Sequence, residues 1–470
     1  MALTALRSTD LARGTRLGTL DLWRPIDFLH RRGSEPVDAS SVAVFRISFG
    51  IVALVAIIRF FAYGWIDQLY VEPLHHFSYV GFEWVRAWSA PWMHLHFAAL
   101  GVLSIAIILG WRTRASLLLF AVGFAYIELI DKTTYLNHYY FISLAALLLA
   151  FIPHDRAWSL DARRGSSTGW TPAWTVWALR IQIALVYCFA GFAKLNHDWI
   201  VNAAPLRFWL PQHAHLPIVG PLLDELWVAY ALSWAGAAFD LTIVAWMLWG
   251  RSRPLAFAVL IVFHLITGQL FMIGVFPYMM IAASLIFFSS GWPRRLACRL
   301  RRQPSTASDP PAPGLRSQVP STVGRLAVLI GIAVLIVQIV VPLRHHFYLG
   351  PVQWNEEGYR FSWRVLLTEK VGHIEYRVTD AQGRSWLELP AAYLSPLQAE
   401  RMTTQPDLIL ATAHIIREYH ARRGRQVTVR ADALVSLNGR AGQRLIDPDV
   451  DLATETPGIT PKHWILRPPD

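Results

Sequence analysis

Long apolar runs separated by short polar loops constrain this chain more than any other feature, because a run of some twenty apolar residues has few soluble folds open to it. About nine apolar runs are present, near residues 42–61, 93–111, 115–130, 140–151 and 173–194, then one that ends at the basic GRSR around Arg251, one that holds His264, one that follows the short Gly274 to Tyr278 turn and a last near 326–341. A chain that is 54% hydrophobic and 16% charged over 470 residues fits a polytopic membrane protein. The net charge of +11 would suit nucleic acid in a soluble protein. Here the arginines cluster in short loops beside apolar runs, at Arg112 and Arg114, Arg156 to Arg164, Arg251 and Arg253, and Arg294 to Arg302. That is the signature of topology, and no nucleic-acid partner is expected.

Alternating the loops across a bilayer puts every basic loop on one side with the N-terminus and every weakly basic loop on the other. The sequence therefore predicts a multi-pass protein of the cell membrane, its N-terminus cytoplasmic and its C-terminal domain extracytoplasmic. The expected divisions are a cytoplasmic segment over 1–41 with a surface helix near Leu20 to His30, eight spans over 42–302, a Pro/Ser/Ala-rich linker over 303–324, a ninth span over 325–343, and an α+β domain over 344–470. In the last region HIEYRVTDAQGRSWLEL alternates about a glycine-bearing turn, Ser395 to Arg422 has helical periodicity, and a second hairpin turns at Asn438-Gly439. The fold class is thus a mainly α membrane bundle followed by a small α+β domain. Cys188 and Cys298 stand in unrelated settings and predict no disulfide.

Two polar motifs interrupt the apolar pattern on the outer side. DKTTYLNHYY, Asp131 to Tyr140, opens the fourth span, and AGFAKLNHDW, Ala190 to Trp199, closes the fifth. Lys194 sits at the rim of a span, where lost hydration disfavours its ammonium; it can be a base, or it can snorkel its head to water. Asn137 and His138 can serve a site or cap the start of the fourth span. His264 lies within a span and needs a partner of some kind. Asp240, costly to bury in the sixth span, is read as structural and paired with an arginine such as Arg180. Arg46 and Arg59 in the first span must face the interior, water or headgroups. The histidines show no metal-ligand spacing.

These motifs, together with FHLITGQLFMIGVFPYMMIAAS, YRFSWRVLL and LNGRAGQRLIDPDVDL, occur in an order that resembles the vitamin K-dependent gamma-glutamyl carboxylase family from about residue 40 to 450. The resemblance implies an integral membrane enzyme that oxidises reduced vitamin K, as phylloquinol or menaquinol, with oxygen and carboxylates a glutamate-containing peptide with carbon dioxide, without a metal. It implies that Lys194 is the base acting on the hydroquinone, with Ala193 where the family has a second lysine. It places Asn137 and His138 on the quinone, His138 as proton shuttle or carbon dioxide positioner, and adds His264, Tyr359 and Trp363 as cofactor contacts. Arg364, Val365 and Leu366 depart from the family's acidic residue and methionines. The alternatives are a quinol epoxidase without peptide carboxylation and a non-catalytic lipid-binding or transport protein.

Overall fold

The computed structural model describes residues 32–153, 157–165, 169–302 and 322–468, without the side chains of 322–328. The expected surface helix near Leu20 to His30 and most of the expected linker lie outside the described residues. Nine apolar helices correspond to the predicted spans: α1 Ser40–Ala62, α2 Ala90–Leu109, α3 Thr113–Ile130, α4 Asn137–Phe151, α5 Ala173–Lys194, α6 Leu226–Leu248, α7 Arg253–Leu270, α8 Phe276–Ser284 and α9 Thr322–Leu343. Seven are long and apolar enough to cross a membrane, the last counted over Leu329–Phe347. The other two, α4 with 15 residues and α8 with 9, are shorter. α4 is preceded by the polar turn Lys132–Thr134, and α8 by a turn at Gly274.

Helices neighbouring in sequence pack together, α1 on α2, α3 on α4 and α6 on both α5 and α7, while α8 returns to α1 and α9 lies against α4 and α5. The helices are apolar all round. Ile51, Ile58, Val102 and Val122 point outward and remain exposed, as expected of surfaces that face lipid. Two polar contacts inside the bundle are specific. Arg46 is fully buried and donates to the carbonyls of Ile107, Ile108 and Trp158, closing the end of α2. Gln182 on α5 and Gln338 on α9 exchange amide hydrogen bonds. A two-stranded ribbon that the sequence did not suggest, β1 Pro36–Asp38 with β2 Trp170–Pro172, ties the entry of α1 to that of α5.

The C-terminal domain is a four-stranded antiparallel sheet in the order β4-β3-β5-β6, from β3 Lys370–Asp380, β4 Ser385–Glu388, β5 Val427–Leu437 and β6 Gln443–Arg444. Ile374, Tyr376 and Val378 of β3 and Val429, Ala431 and Ala433 of β5 alternate inward. They meet Ile409, Ala413 and Ile416 of α11 (Pro406–Ala421), which follows α10 (Pro396–Met402). The predicted helical stretch is thus two helices, broken at Thr403 to Gln405. Asn438 and Gly439 both have positive φ, which a tight hairpin turn of this type requires.

Polar contacts seat this domain on the bundle. Gln398 donates to Asp131 at 2.7 Å, and Asp407 pairs with Lys132 at 3.1 Å and Arg360 at 2.9 Å. Burial opposes ionisation of Asp407, but Arg360 and Lys132 outweigh it and hold the carboxyl well below the usual range. At a second point Asn438 and Arg440 reach Asp198, each with a contact of 2.8 Å.

Candidate functional site

The two helices that meet most closely at the site are α5 and α6. Gly191 makes this possible: a Cβ there would lie 2.9 Å from the Leu241 side chain and 3.0 Å from its backbone nitrogen. One turn away, Lys194 at the end of α5 reaches Asp240 of α6. Nζ and Oδ2 are 2.7 Å apart, and the side chains are 8% and 6% exposed. Lys194 therefore does not snorkel. Its Nζ also lies 3.4 Å from the Ala190 carbonyl and 5.1 Å from the centre of the Trp199 ring, which closes over it.

The partner of Asp240 corrects the sequence expectation. Arg180 is occupied elsewhere, donating to the carbonyls of Ile286, Phe287 and Phe288 where the chain leaves the turn after α8. Those carbonyls have no helical partner of their own, so the guanidinium is spent on them. Asp240 is left to Lys194, and each offsets a buried charge that would otherwise be costly.

The pair opens on a cavity of about 280 Å³ between α5, α6, α7 and α8. Its walls are almost wholly apolar. Phe239, Phe263 and Phe276 form the sides, with Phe239 stacked on Phe263 at 3.8 Å between ring centres. The charged and titratable groups in the lining are the Lys194–Asp240 pair, Tyr187 and His264, whose Nε2 is 2.7 Å from the Tyr187 hydroxyl; the Thr267 hydroxyl is turned onto the carbonyls of Phe263 and His264. The Tyr187 contact satisfies the need of His264 for a partner within its span. An apolar cavity with a few convergent polar groups is the arrangement expected of a small-molecule site. The chemistry available is proton exchange at one end and hydrogen bonding at the other.

The remaining predicted residues lie around this cavity rather than in its wall. His138 is buried behind Phe276, their ring centres 6.1 Å apart, while His264 lies 6.2 Å from the same ring. His138 and Arg59 both flank Gly274, and Arg59 extends over the rings of Trp65 and Tyr63. Asn137 donates to the Arg364 carbonyl at 3.1 Å and accepts from the Tyr135 hydroxyl at 3.1 Å. It joins the start of α4 to the segment 359–366. Trp363 is fully buried against Tyr140, 5.0 Å between ring centres, and packs outside the cavity. Tyr359 is half-buried, and burial pushes its hydroxyl up to about 12. That segment sends Val365 and Leu366 into the cavity wall instead.

Asp240, Tyr187 and Trp199 are the site residues missed in the sequence. A costly acid in one span and an unexplained lysine in the neighbouring span were the signal for the first. Tyr187 and Trp199 carry no such signal, since aromatic residues are common at these depths.

Two family models match the chain. The one described as HTTM domain covers residues 34–292, and the one described as vitamin K-dependent gamma-carboxylase, lumenal domain, covers residues 323–470. No solved structure matches.

Proposed function

The chain belongs to the vitamin K-dependent gamma-glutamyl carboxylase family, and on that premise we propose that it oxidises reduced vitamin K, as phylloquinol or menaquinol, in the cavity beside Lys194 and Asp240 and uses the oxidation to carboxylate a peptide glutamate. The observation that carries this reading is the Lys194–Asp240 pair at the end of an apolar cavity. A fused aromatic ring with two hydroxyls suits such a lining: the phenylalanines take its faces, and the Lys194–Asp240 pair and His264 take its hydroxyls. Bound reduced vitamin K supplies the hard chemistry, since its oxidation by oxygen to the epoxide yields a base strong enough to remove a glutamate γ-proton, whose place carbon dioxide then takes.

The residues of this chain handle the first proton. Lys194 and Asp240 together are neutral, whichever of the two holds the proton between them. They can accept one more, which leaves an ammonium beside a protonated carboxyl. The base is thus the pair, not an isolated neutral lysine, and the positive charge it gains faces the anion just formed in a medium that screens little. The Lys194 hydrogens not used by Asp240 can donate into the cavity. His264, held by Tyr187, would orient the far end of the ring. His138 and Asn137 stand one layer out, His138 behind Phe276, where they position the wall; Tyr359 and Trp363 hold the segment that carries Val365 and Leu366. The peptide and carbon dioxide are proposed to approach from the side of the C-terminal domain.

The test is epoxide formation by the purified protein in lipid, given phylloquinol or menaquinol, oxygen, labelled bicarbonate and a glutamate-containing peptide. Lys194→Ala and Asp240→Asn are each expected to lower epoxide formation by about a hundredfold or more, the range of a positioned base. Label in the peptide separates a carboxylase from an epoxidase. Epoxide at the wild-type rate from Lys194→Ala, or none from folded wild type with either quinol, would sink the proposal.

A further inference from the structure

Arg364 is 8% exposed, its Nε has no hydrogen-bond partner, and among the described residues its guanidinium forms no ion pair. The arginines around it show how such a group is ordinarily satisfied. Arg344 donates to the carbonyls of Val341 and Arg360, and Arg360 pairs with Asp407. The groups that act electrostatically on Arg364 are Tyr359 and Arg344, and His345 is close enough to feel Arg364 in turn. No carboxylate is among them. Glu356, which faces Tyr359, is held by Lys370 at 2.9 Å. A buried guanidinium among cationic and neutral groups lacks its counter-charge, and the cost of that is large unless an anion is supplied from outside.

Its place in the chain gives the uncompensated charge a use. The Arg364 carbonyl is fixed by Asn137, and the next two residues, Val365 and Leu366, line the cavity that holds Lys194 and Asp240. The backbone around it is held in an unusual shape, with positive φ at Phe361 (60°), Trp363 (57°) and Leu366 (50°). Non-glycine residues adopt that region at a cost, and only where the surroundings insist on it. Trp363, fully buried against Tyr140, supplies that insistence.

We propose that Arg364 is the binding site for a planar carboxylate-type anion, bicarbonate or the side chain of a peptide glutamate, held on the segment whose next two residues line the Lys194–Asp240 cavity. The planar fork of a guanidinium matches two coplanar oxygens through paired, charge-assisted hydrogen bonds. In assigning the anion a part in carboxylation this rests on the function proposed above; the binding itself does not.

Binding is read as thermal unfolding of the full chain in lipid nanodiscs, followed by tryptophan fluorescence. The probes are sodium bicarbonate against equal sodium chloride, and capped Ala-Glu-Ala against capped Ala-Gln-Ala. The unfolding temperature of wild type is expected to rise saturably with bicarbonate, or with the glutamate peptide and not its glutamine twin; which of the two acts identifies the source. Arg364→Met should weaken that response by about thirtyfold or more, the usual result of truncating one partner of a buried charge pair. Without probe it should unfold no lower than wild type, because a buried charge has been replaced by an apolar chain of similar length. Arg364→Lys, which keeps the charge and loses the fork, should bind several-fold more weakly and decides the matter should the methionine variant not fold. An unchanged response in the variant that folds, or no response of wild type to either probe, overturns the assignment. A protein that makes no epoxide yet shows the Arg364-dependent shift would overturn the proposed function and leave this site standing.

Discussion

At the scale of single residues, the Lys194–Asp240 pair separates two costs that activity alone confounds. Removing one member leaves the other as a buried charge without a partner, so Lys194→Met and Asp240→Leu should each destabilise the protein by roughly 3–5 kcal/mol. The double variant Lys194→Met with Asp240→Leu should recover most of that stability and make no epoxide. Thermal unfolding of the four proteins measures the coupling, and additive losses would mean that the 2.7 Å contact contributes little. Lys194 itself was legible because a polar motif follows it directly in the chain. Asp240 stood out as a costly buried acid, but its pairing with Lys194 was not legible. Asp240 lies 46 residues away on another helix, and hydropathy reveals that a residue is within a span without revealing which way it faces.

At the scale of elements, the turn between β5 and β6 clasps the bundle through Asp198. Burial works against the Asp198 charge, but hydrogen bonds from Arg440, Asn438 and Asn202 outweigh it and hold the carboxyl down to about 2. A carboxyl lowered on folding stabilises the folded state above its unfolded value, near 3.9, and loses that contribution as pH falls toward the folded one. Because Arg440 is half exposed, solvent screening limits the gain to about 1 kcal/mol. Hydrogen-exchange protection at residues 437–444, taken relative to the intrinsic exchange rate at each pH, should therefore fall about fivefold as pH drops from 5 to 2, whereas Asp198→Asn should already show the lower protection at pH 5. An equal pH response in both would deny the clasp. The two hairpins were readable from alternation and from Asn438-Gly439. The long pairing of β3 with β5 was not, since it joins residues separated by two helices and nothing local in either strand names its partner.

At the scale of the whole molecule, nine apolar helices arose where hydropathy placed nine runs, because runs of that length have nowhere else to go. Their sidedness was argued only from arginine-rich loops and is open to a direct test. In a Cys188→Ser protein the native Cys298, on the basic helix Trp292–Leu300, should react with an impermeant thiol reagent only after cells are permeabilised. With both cysteines replaced by serine, Ala441→Cys in the turn after β5 should react in intact cells. The opposite pattern would invert the topology and put the C-terminal domain in the cytoplasm. The contacts that seat that domain, Gln398 on Asp131 and Asp407 on Lys132, were beyond reach of the sequence, because each joins a loop of the bundle to a helix hundreds of residues later.

The almost wholly apolar wall of the cavity also acts as a filter on what can pass. A neutral molecule crosses it at little cost, whereas an anion must shed its hydration with nothing along the way to replace it. On the function proposed above, a molecule that lost a proton to Lys194 and Asp240 would be detained by its own charge until it became neutral again, so the same lining that admits a neutral reactant would also set the order of events.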